Sequence, residues 1–381
     1  MSLRLLTAGE SHGPELVAIV EGLPAGVAVD QEAIDHQLER RRGGHGRGAR
    51  STKIERDHAQ VVSGVAAGLT TGAPVALRIA NRDFANQPPQ PAPLTTPRPG
   101  HADLAGAIKY GLDDFRLVRE RASARETAAR VAGAALTRPL LSGFGISLGS
   151  FVTRIGAVTL GLDLGRARPR DLQQRAEAAE ADAVRCPDPA VSRQMVAAID
   201  QAQEARQTLG GTFVCFALGV PAGLGSHVHW DRRLDGLLAQ AICSIPAIKG
   251  VELGPAFDLA ARPGGEAQDP IYSEQGSLVR KTNFAGGLEG GISNGQPIVV
   301  RAAMKPLSST RAGVASVDLA LGTAADPPYV RSDVCAVPAA AVVGEAMLAW
   351  VLAQCLVERL GGDRLDALQG AAAVALGESG R

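Results

Sequence analysis

The chain has 381 residues, 45% of them hydrophobic, and its 39 basic side chains balance 39 acidic ones. No net charge is available to hold nucleic acid or an anionic membrane, so any anion site must be local. The five cysteines, Cys186, Cys215, Cys243, Cys335 and Cys355, are odd in number and form no CxxC pair, which argues against a disulfide framework or a structural zinc site and fits a reducing compartment.

The N-terminus lacks a charged stretch followed by an apolar one, and no apolar run is read as approaching membrane-spanning length; the expectation is a soluble cytoplasmic protein. No linker, repeat or charge block divides the sequence, so residues 1–381 are expected to form one domain. Leu3 to Thr7 reads as a short strand running into Gly9-Glu10-Ser11-His12-Gly13, with Leu16 to Glu21 as the return strand. Ser11 and His12, between glycines, are candidates for proton exchange, and equally for a plain polar turn.

Asp30 caps an amphipathic helix that ends at Arg42, with Ile34 and Leu38 on its inner face. Of the basic residues only Lys53, Lys109, Lys249, Lys281 and Lys305 are lysines, and five arginines crowd among glycines between Arg40 and Arg50. The planar fork of arginine binds phosphate and carboxylate bidentately, although a solvated basic face is the commoner meaning of such a run. Aromatic residues for base stacking make up only 3% of the chain, which disfavours nucleic acid here.

Val61 to Gly64 and Pro74 to Ala80 read as further strands. Asn81 to Pro97, with five prolines and no apolar period, is expected to be a mobile arm or lid. Arg98-Pro-Gly-His101-Ala-Asp103 follows, and Pro99 and Gly100 place His101 on a stiff turn. Ser123-Ala-Arg-Glu126 then reads as a capping box. The helix behind it, with Thr127, Val131 and Leu136 at helical spacing and small residues between, should be central and packed on several sides.

Leu141 to Ile155 reads as a glycine-punctuated strand region, Arg170 to Ala183 and Pro189 to Leu209 as helices, and Thr212 to Leu218 as a strand. His227 and His229 would share a strand face and could take a metal, but no third ligand stands at a fitting spacing, and Asp231 serves better as the cap of a helix from Arg232 to Ser244. Gly286 to Gly295 reads as a hairpin before the strand Pro297 to Met304; its glycines, with Lys305-Pro-Leu-Ser-Ser309, would also suit a phosphate or a flat ring. Pro338 to Leu360 is the last helix, and the tail beyond Gly361 is expected to fray. Strands in runs, without strand-helix alternation or a GxGxxG turn, argue for an α+β architecture, and no GxxxxGK[ST] loop supports a phosphotransferase.

With these motifs in view the chain resembles the chorismate synthase family. The resemblance rests on Gly9-Glu-Ser-His-Gly13, the arginine-glycine loop from 40 to 50, Arg98-Pro-Gly-His-Ala-Asp103, Ser123-Ala-Arg-Glu-Thr127, Lys305-Pro-Leu-Ser-Ser309 and Arg331-Ser-Asp333. It implies a central layer of helices between two mainly antiparallel sheets, assembled as a homotetramer. It also implies an anti 1,4-elimination of phosphate from 5-enolpyruvylshikimate 3-phosphate to give chorismate, with reduced FMN and no net redox change. The flavin would be reduced with NADPH by the protein itself or by an external flavin reductase.

The resemblance further implies that His12 assists the phosphate and His101 tunes flavin protonation. Asp333, backed by Ser123 and Ser11 in the hydrogen-bond network, would help flavin N5 accept the substrate proton. Arg121, Ala122 and Ser123, Gln240 and Ala241, Gly290, Lys305, Pro306, Leu307, Ser308 and Ser309, and Arg331 would contact FMN. Arg41, Arg47 and Arg50 would hold substrate or NADP anions, with no metal in the site.

Overall fold

In the strand Glu15–Glu21 every second residue, Leu16, Ala18 and Val20, is buried, the two-residue period of a strand with one covered face. It pairs antiparallel with Arg4–Gly9 on one side and Val75–Ala80 on the other, and Ala59–Ser63 completes a four-stranded antiparallel sheet. The computed structural model describes residues 3–48, 56–86, 92–327 and 332–377. A second antiparallel sheet runs in the order Ile248–Leu253, Ile298–Met304, Gly211–Leu218, Ser147–Ile155 and Val158–Thr159. Its middle strand is buried continuously from Phe213 to Leu218 instead of alternately, because this sheet is covered on both faces. The helices Val337–Leu360 and Pro169–Glu180 provide that cover.

Between the sheets lie the helices. Thr127–Ala135 packs on the first sheet and on the long helix Val337–Leu360, which in turn packs on the second sheet; Gln31–Arg42 and Leu234–Cys243 flank them. This is the α+β sandwich that the family resemblance implies. Small residues allow the close approach. Every residue of Thr127–Ala135 except Arg130 is buried, and a Cβ added at Gly133 would come within 2.6 Å of Leu5 Cδ1. At Gly344 an added Cβ would come within 2.5 Å of the Phe213 ring.

Several expectations need correction. Val337–Leu360 is long and apolar enough to cross a membrane by composition, so the chain does contain a run of that length; the run is buried between other helices and a sheet. Residues 138–143 are helical, Arg138–Gly143, before the strand begins at Ser147. Of the tail beyond Gly361, the described part contains the helix Leu365–Gly377, held by the fully buried Leu368 and by the Leu365 N–H donating to the Ala25 carbonyl at 2.9 Å, while residues 378–381 lie outside the described residues. His227 and His229 lie on no strand, and no group of three metal-ligating side chains exists among the described residues. Asp231 accepts from His229 Nδ1 at 2.5 Å and does not cap the helix Leu234–Cys243. Of the arm 81–97, residues 87–91 lie outside the described residues; the following stretch is tied down, since Leu94 N–H donates to Asp114 at 2.9 Å and Leu94 O accepts from Phe115 N–H at 3.0 Å.

A carboxylate is buried inside the helical layer. Glu345 is 1% exposed and accepts from Arg138 at 2.6 Å, Arg40 at 2.9 Å and Ser150 at 2.7 Å. Burial pushes its carboxyl up, but the Arg138 and Arg40 guanidinium groups outweigh that and hold it well below the usual carboxylate range. Glu345→Ala leaves these guanidinium groups buried beside an apolar hole, and should cost about 3 to 5 kcal/mol. Chemical denaturation of variant and parent checks this; an unchanged midpoint would show that the cluster is dispensable.

Candidate active site

A cavity of about 680 Å³ opens where the first sheet's turns, the central helices and the loop after the strand Ile298–Met304 converge, a size typical of small-molecule sites. Arg41, Arg47, Arg98, Arg119, Arg125 and Lys305 line it, against the carboxylates of Asp83, Glu120 and Asp333. The balance is cationic, as an anion site requires. Ile245, Pro246, Ala247 and Met304 form one apolar wall, and Ala339, Ala340 and Val343 of the long helix form another. Local charge thus surrounds an apolar slot in a chain whose bulk charge is zero.

Each histidine is held by a carboxylate at Nδ1. His12 Nδ1 lies 2.8 Å from Glu120, and His101 Nδ1 lies 2.5 Å from Asp103. Asp103 is fully buried and also accepts from the backbone N–H and Nε of Arg98 at 3.1 and 3.0 Å. Burial pushes the Asp103 carboxyl up, but hydrogen bonds from His101 and Arg98, with their charge, hold it well below the usual range. The turn before it needs Gly100, at φ +75°, because the Gly100 carbonyl accepts from Ser308 Oγ at 2.7 Å and a Cβ there would press on that hydroxyl at 3.2 Å.

The loop 305–309 is therefore fastened to the histidine turn, and Arg98 Nη1 adds a bond to Ser309 Oγ at 3.0 Å. Lys305 donates to Ser308 Oγ at 3.0 Å, and burial together with the charge of Lys249 pushes its pKa down. Ser309 O also accepts from Ser332 Oγ at 2.7 Å, which brings the segment before the long helix into the site.

Asp333 is tied to the arginine-glycine loop: it pairs with the Arg47 guanidinium and accepts from the Gly48 N–H at 2.7 Å. Ser11 and Ser123 are joined to each other at 3.2 Å. Asp333 bonds to Arg47 and Gly48, and among the described residues no direct bond joins it to Ser11 or Ser123. Arg41 is buried and donates to Thr127 Oγ1 and the Ala124 carbonyl, both at 2.9 Å. The capping box is also half made. Ser123 Oγ accepts from Arg125 N–H at 3.3 Å and caps a short turn, whereas Glu126 turns to Arg130 at 2.8 Å.

The structure thus gathers Ser11, His12, Arg41, Arg47, His101, Ala122, Ser123, Lys305, Leu307, Ser308, Ser309 and Asp333 at one cavity. Arg121, Pro306, Gln240, Ala241 and Gly290 are not part of its lining. Arg121 turns to the carbonyls of Thr7 and Gly9, at 2.9 and 3.3 Å; Gln240 and Ala241 belong to the helix Leu234–Cys243, and Gly290 sits at the tip of the hairpin 288–293. Arg50 and Arg331 lie outside the described residues. Sequence reasoning alone does not mark Arg98, Asp103, Arg119, Glu120 or Arg125 as site residues. The spacing of His101 and Asp103 was a usable signal for that pair; nothing local marks Glu120, whose partner is 108 positions away.

A family model described as chorismate synthase matches residues 3–357. The chorismate synthase of Desulforudis audaxviator is 53% identical over 381 residues, covering 96% of this chain and 95% of that one. That of Aquifex aeolicus is 50% identical over 378 residues, with 96% and 95% covered. A crystal structure of a chorismate synthase superposes with a TM-score of 0.82 at 43% identity, covering 99% of this chain and 98% of that one.

Asp103→Asn should destabilise the protein by about 3 kcal/mol or more, because Arg98 loses its buried counter-charge. The native carboxyl is held below its unfolded value near about 3.9, so its contribution is complete above that value and is lost as pH falls through it toward the native pKa. The gap in melting temperature between parent and variant should therefore narrow on acidification below about pH 4. A gap that stays constant or widens there would contradict the assignment.

Proposed function

The chain belongs to the chorismate synthase family, and we propose that it converts 5-enolpyruvylshikimate 3-phosphate to chorismate and phosphate by an anti 1,4-elimination with reduced FMN bound. The observation that carries this reading is the single cavity in which two carboxylate-held histidines and six cationic side chains surround apolar walls. A substrate with one phosphate and two carboxylates needs guanidinium forks, and a ring system needs an apolar slot.

The residues present fit the cofactor. Ala122, Ser123 and the loop from Lys305 to Ser309 would hold it, with Ile245, Ala247 and Met304 against the ring. Reduced FMN, when bound, supplies an electron that is returned by the end of the reaction, so no net redox change results. Arg41, Arg47 and neighbouring guanidinium groups hold the substrate's anions and stabilise the charge that builds on the departing phosphate. His12 donates a proton toward that phosphate, a role for which an imidazole is suited near neutral pH. His101 holds a proton beside the cofactor, and Asp333 takes up the proton lost from the substrate.

Asp333 and Arg47 are paired with each other in this structure. A substrate anion that engages Arg47 competes with that pair and loosens the carboxylate for its role as a base. The family's homotetramer, and flavin reduction by NADPH or by an external reductase, complete the proposal. Anaerobic assay with chemically reduced FMN, against NADPH plus oxidised FMN, tests the reaction and the reductant together. Absence of chorismate under both conditions, with FMN bound, would overturn the reading.

Asp333→Asn should leave FMN affinity nearly unchanged but lower the melting temperature, since the amide oxygen can still accept from Gly48 N–H while its NH₂ group faces the Arg47 guanidinium, which loses this counter-charge. Single-turnover decay with reduced FMN should slow by about 100-fold or more, as expected when an acid-base partner is removed. A normal rate with a lowered melting point would make Asp333 a structural tether only.

A further inference from the structure

Glu120 stands in the last turn of the helix Phe115–Arg121, beside the turn that carries Ser11 and His12. It reaches that turn three times. Its backbone carbonyl accepts from Ser11 N–H at 3.1 Å, its Oε2 from His12 N–H at 2.6 Å, and its Oε1 lies 2.8 Å from His12 Nδ1. An ionised carboxylate can only accept, so the ring nitrogen facing it must carry the hydrogen. We propose that Glu120 is a positioning residue for the elimination: its two oxygens bind the backbone N–H and the ring Nδ1–H of His12 together, and so fix the tautomer in which Nε2 exchanges the proton.

The consequence is specific to this geometry. In the neutral ring Nδ1 is the donor and Nε2 the acceptor; protonation then places the transferable proton on Nε2. An isolated imidazole has no such constraint. Carboxylate and carbonyl come from one residue of one helix, so the orientation of the ring and the position of its backbone are set together. Glu120 also lines the cavity with His12, yet its part in the reaction is to act through the histidine.

The test is the isosteric change Glu120→Gln. The His12 backbone N–H can only donate, so it claims the amide oxygen; the NH₂ group then faces Nδ1, which must become an acceptor. The neutral ring is driven to the opposite tautomer, with Nε2 carrying the hydrogen. An amide in place of a carboxylate beside a catalytic histidine is known to preserve geometry while selecting the wrong tautomer, with large losses in rate.

Nitrogen-15 spectra of histidine-labelled protein without ligands, above the titration of the ring, distinguish pyrrole-type from pyridine-type nitrogens. His12→Gln assigns the signals. The parent should show His12 protonated at Nδ1, and Glu120→Gln should show it protonated at Nε2. Single-turnover decay with reduced FMN should fall by about 100-fold or more in the variant, while FMN affinity and melting temperature hold.

A parent protein with His12 protonated at Nε2 overturns the inference even if the variant fails to fold. Retention of both the Nδ1 tautomer and the parent rate in Glu120→Gln overturns it as well. The role of Glu120 rests on the reading of His12 as the phosphate's proton donor, and the two failures are separable. An inverted tautomer with an unchanged rate would remove His12 from that role and Glu120 with it. The parent's expected tautomer with no chorismate formed from the substrate would instead overturn the proposed reaction.

Discussion

The helix Val337–Leu360 is apolar on nearly every side, and covering it is the constraint from which the layered architecture follows. Such a helix cannot lie on a surface, so it must be enclosed. The second sheet covers one side and the central helix Thr127–Ala135 another, while Gln31–Arg42 and Leu234–Cys243 close the flanks. Close approach of so many elements demands small side chains, which the alanines and glycines of both helices provide. Glu345, the one charge on its buried length, is tolerated because two guanidinium groups and a hydroxyl satisfy it.

The same helix builds the site from its first turns. Ser332 and Asp333 precede it, Ala339, Ala340 and Val343 form an apolar wall, and the Arg40 that pairs with Glu345 is the neighbour of Arg41 in the cavity lining. Packing and binding are coupled through this adjacency. A cavity rich in arginine would repel itself if its charges were bare. Asp103 therefore sits behind Arg98, and Asp57 behind Arg125 at 2.6 Å. These buried acids fix the orientation of the guanidinium groups before a ligand arrives, so less freedom is lost on binding.

Partial neutralisation also explains why the arginine-glycine loop can be so basic without a basic protein. Arg40 and Arg41 are turned inward, to Glu180, Glu345 and Thr127, and Arg47 is turned to Asp333. The general meaning of such a run, a solvated face, fails here for Arg40, Arg41 and Arg47. Gly44, Gly46 and Gly48 let the backbone pass close to Pro338, Cys335 and Ser332, which brings the loop against the start of the long helix.

Local sequence determined the elements whose period and punctuation are strong. These include the strand pair at the N-terminus, the helix capped by Asp30, the small-residue helix from Thr127 and the long apolar helix, each within a few residues of its observed ends. The motifs also marked His12, His101, Ser123, Asp333 and the loop from Lys305, but only through the family resemblance; as residues alone, Ser11 and His12 suit a polar turn equally well and the glycine stretch before Lys305 reads as a hairpin. Tertiary structure decided the rest. The helix Arg138–Gly143 buries Leu140 and Leu141 and the helix Leu365–Gly377 docks through Leu368 and Ala372, against neighbours that a local pattern does not contain. The pairing of Asp333 with Arg47, of Glu120 with His12 and of Arg125 with Asp57 joins residues distant in the chain; their geometry depends on how the layers pack, which no spacing along the sequence encodes.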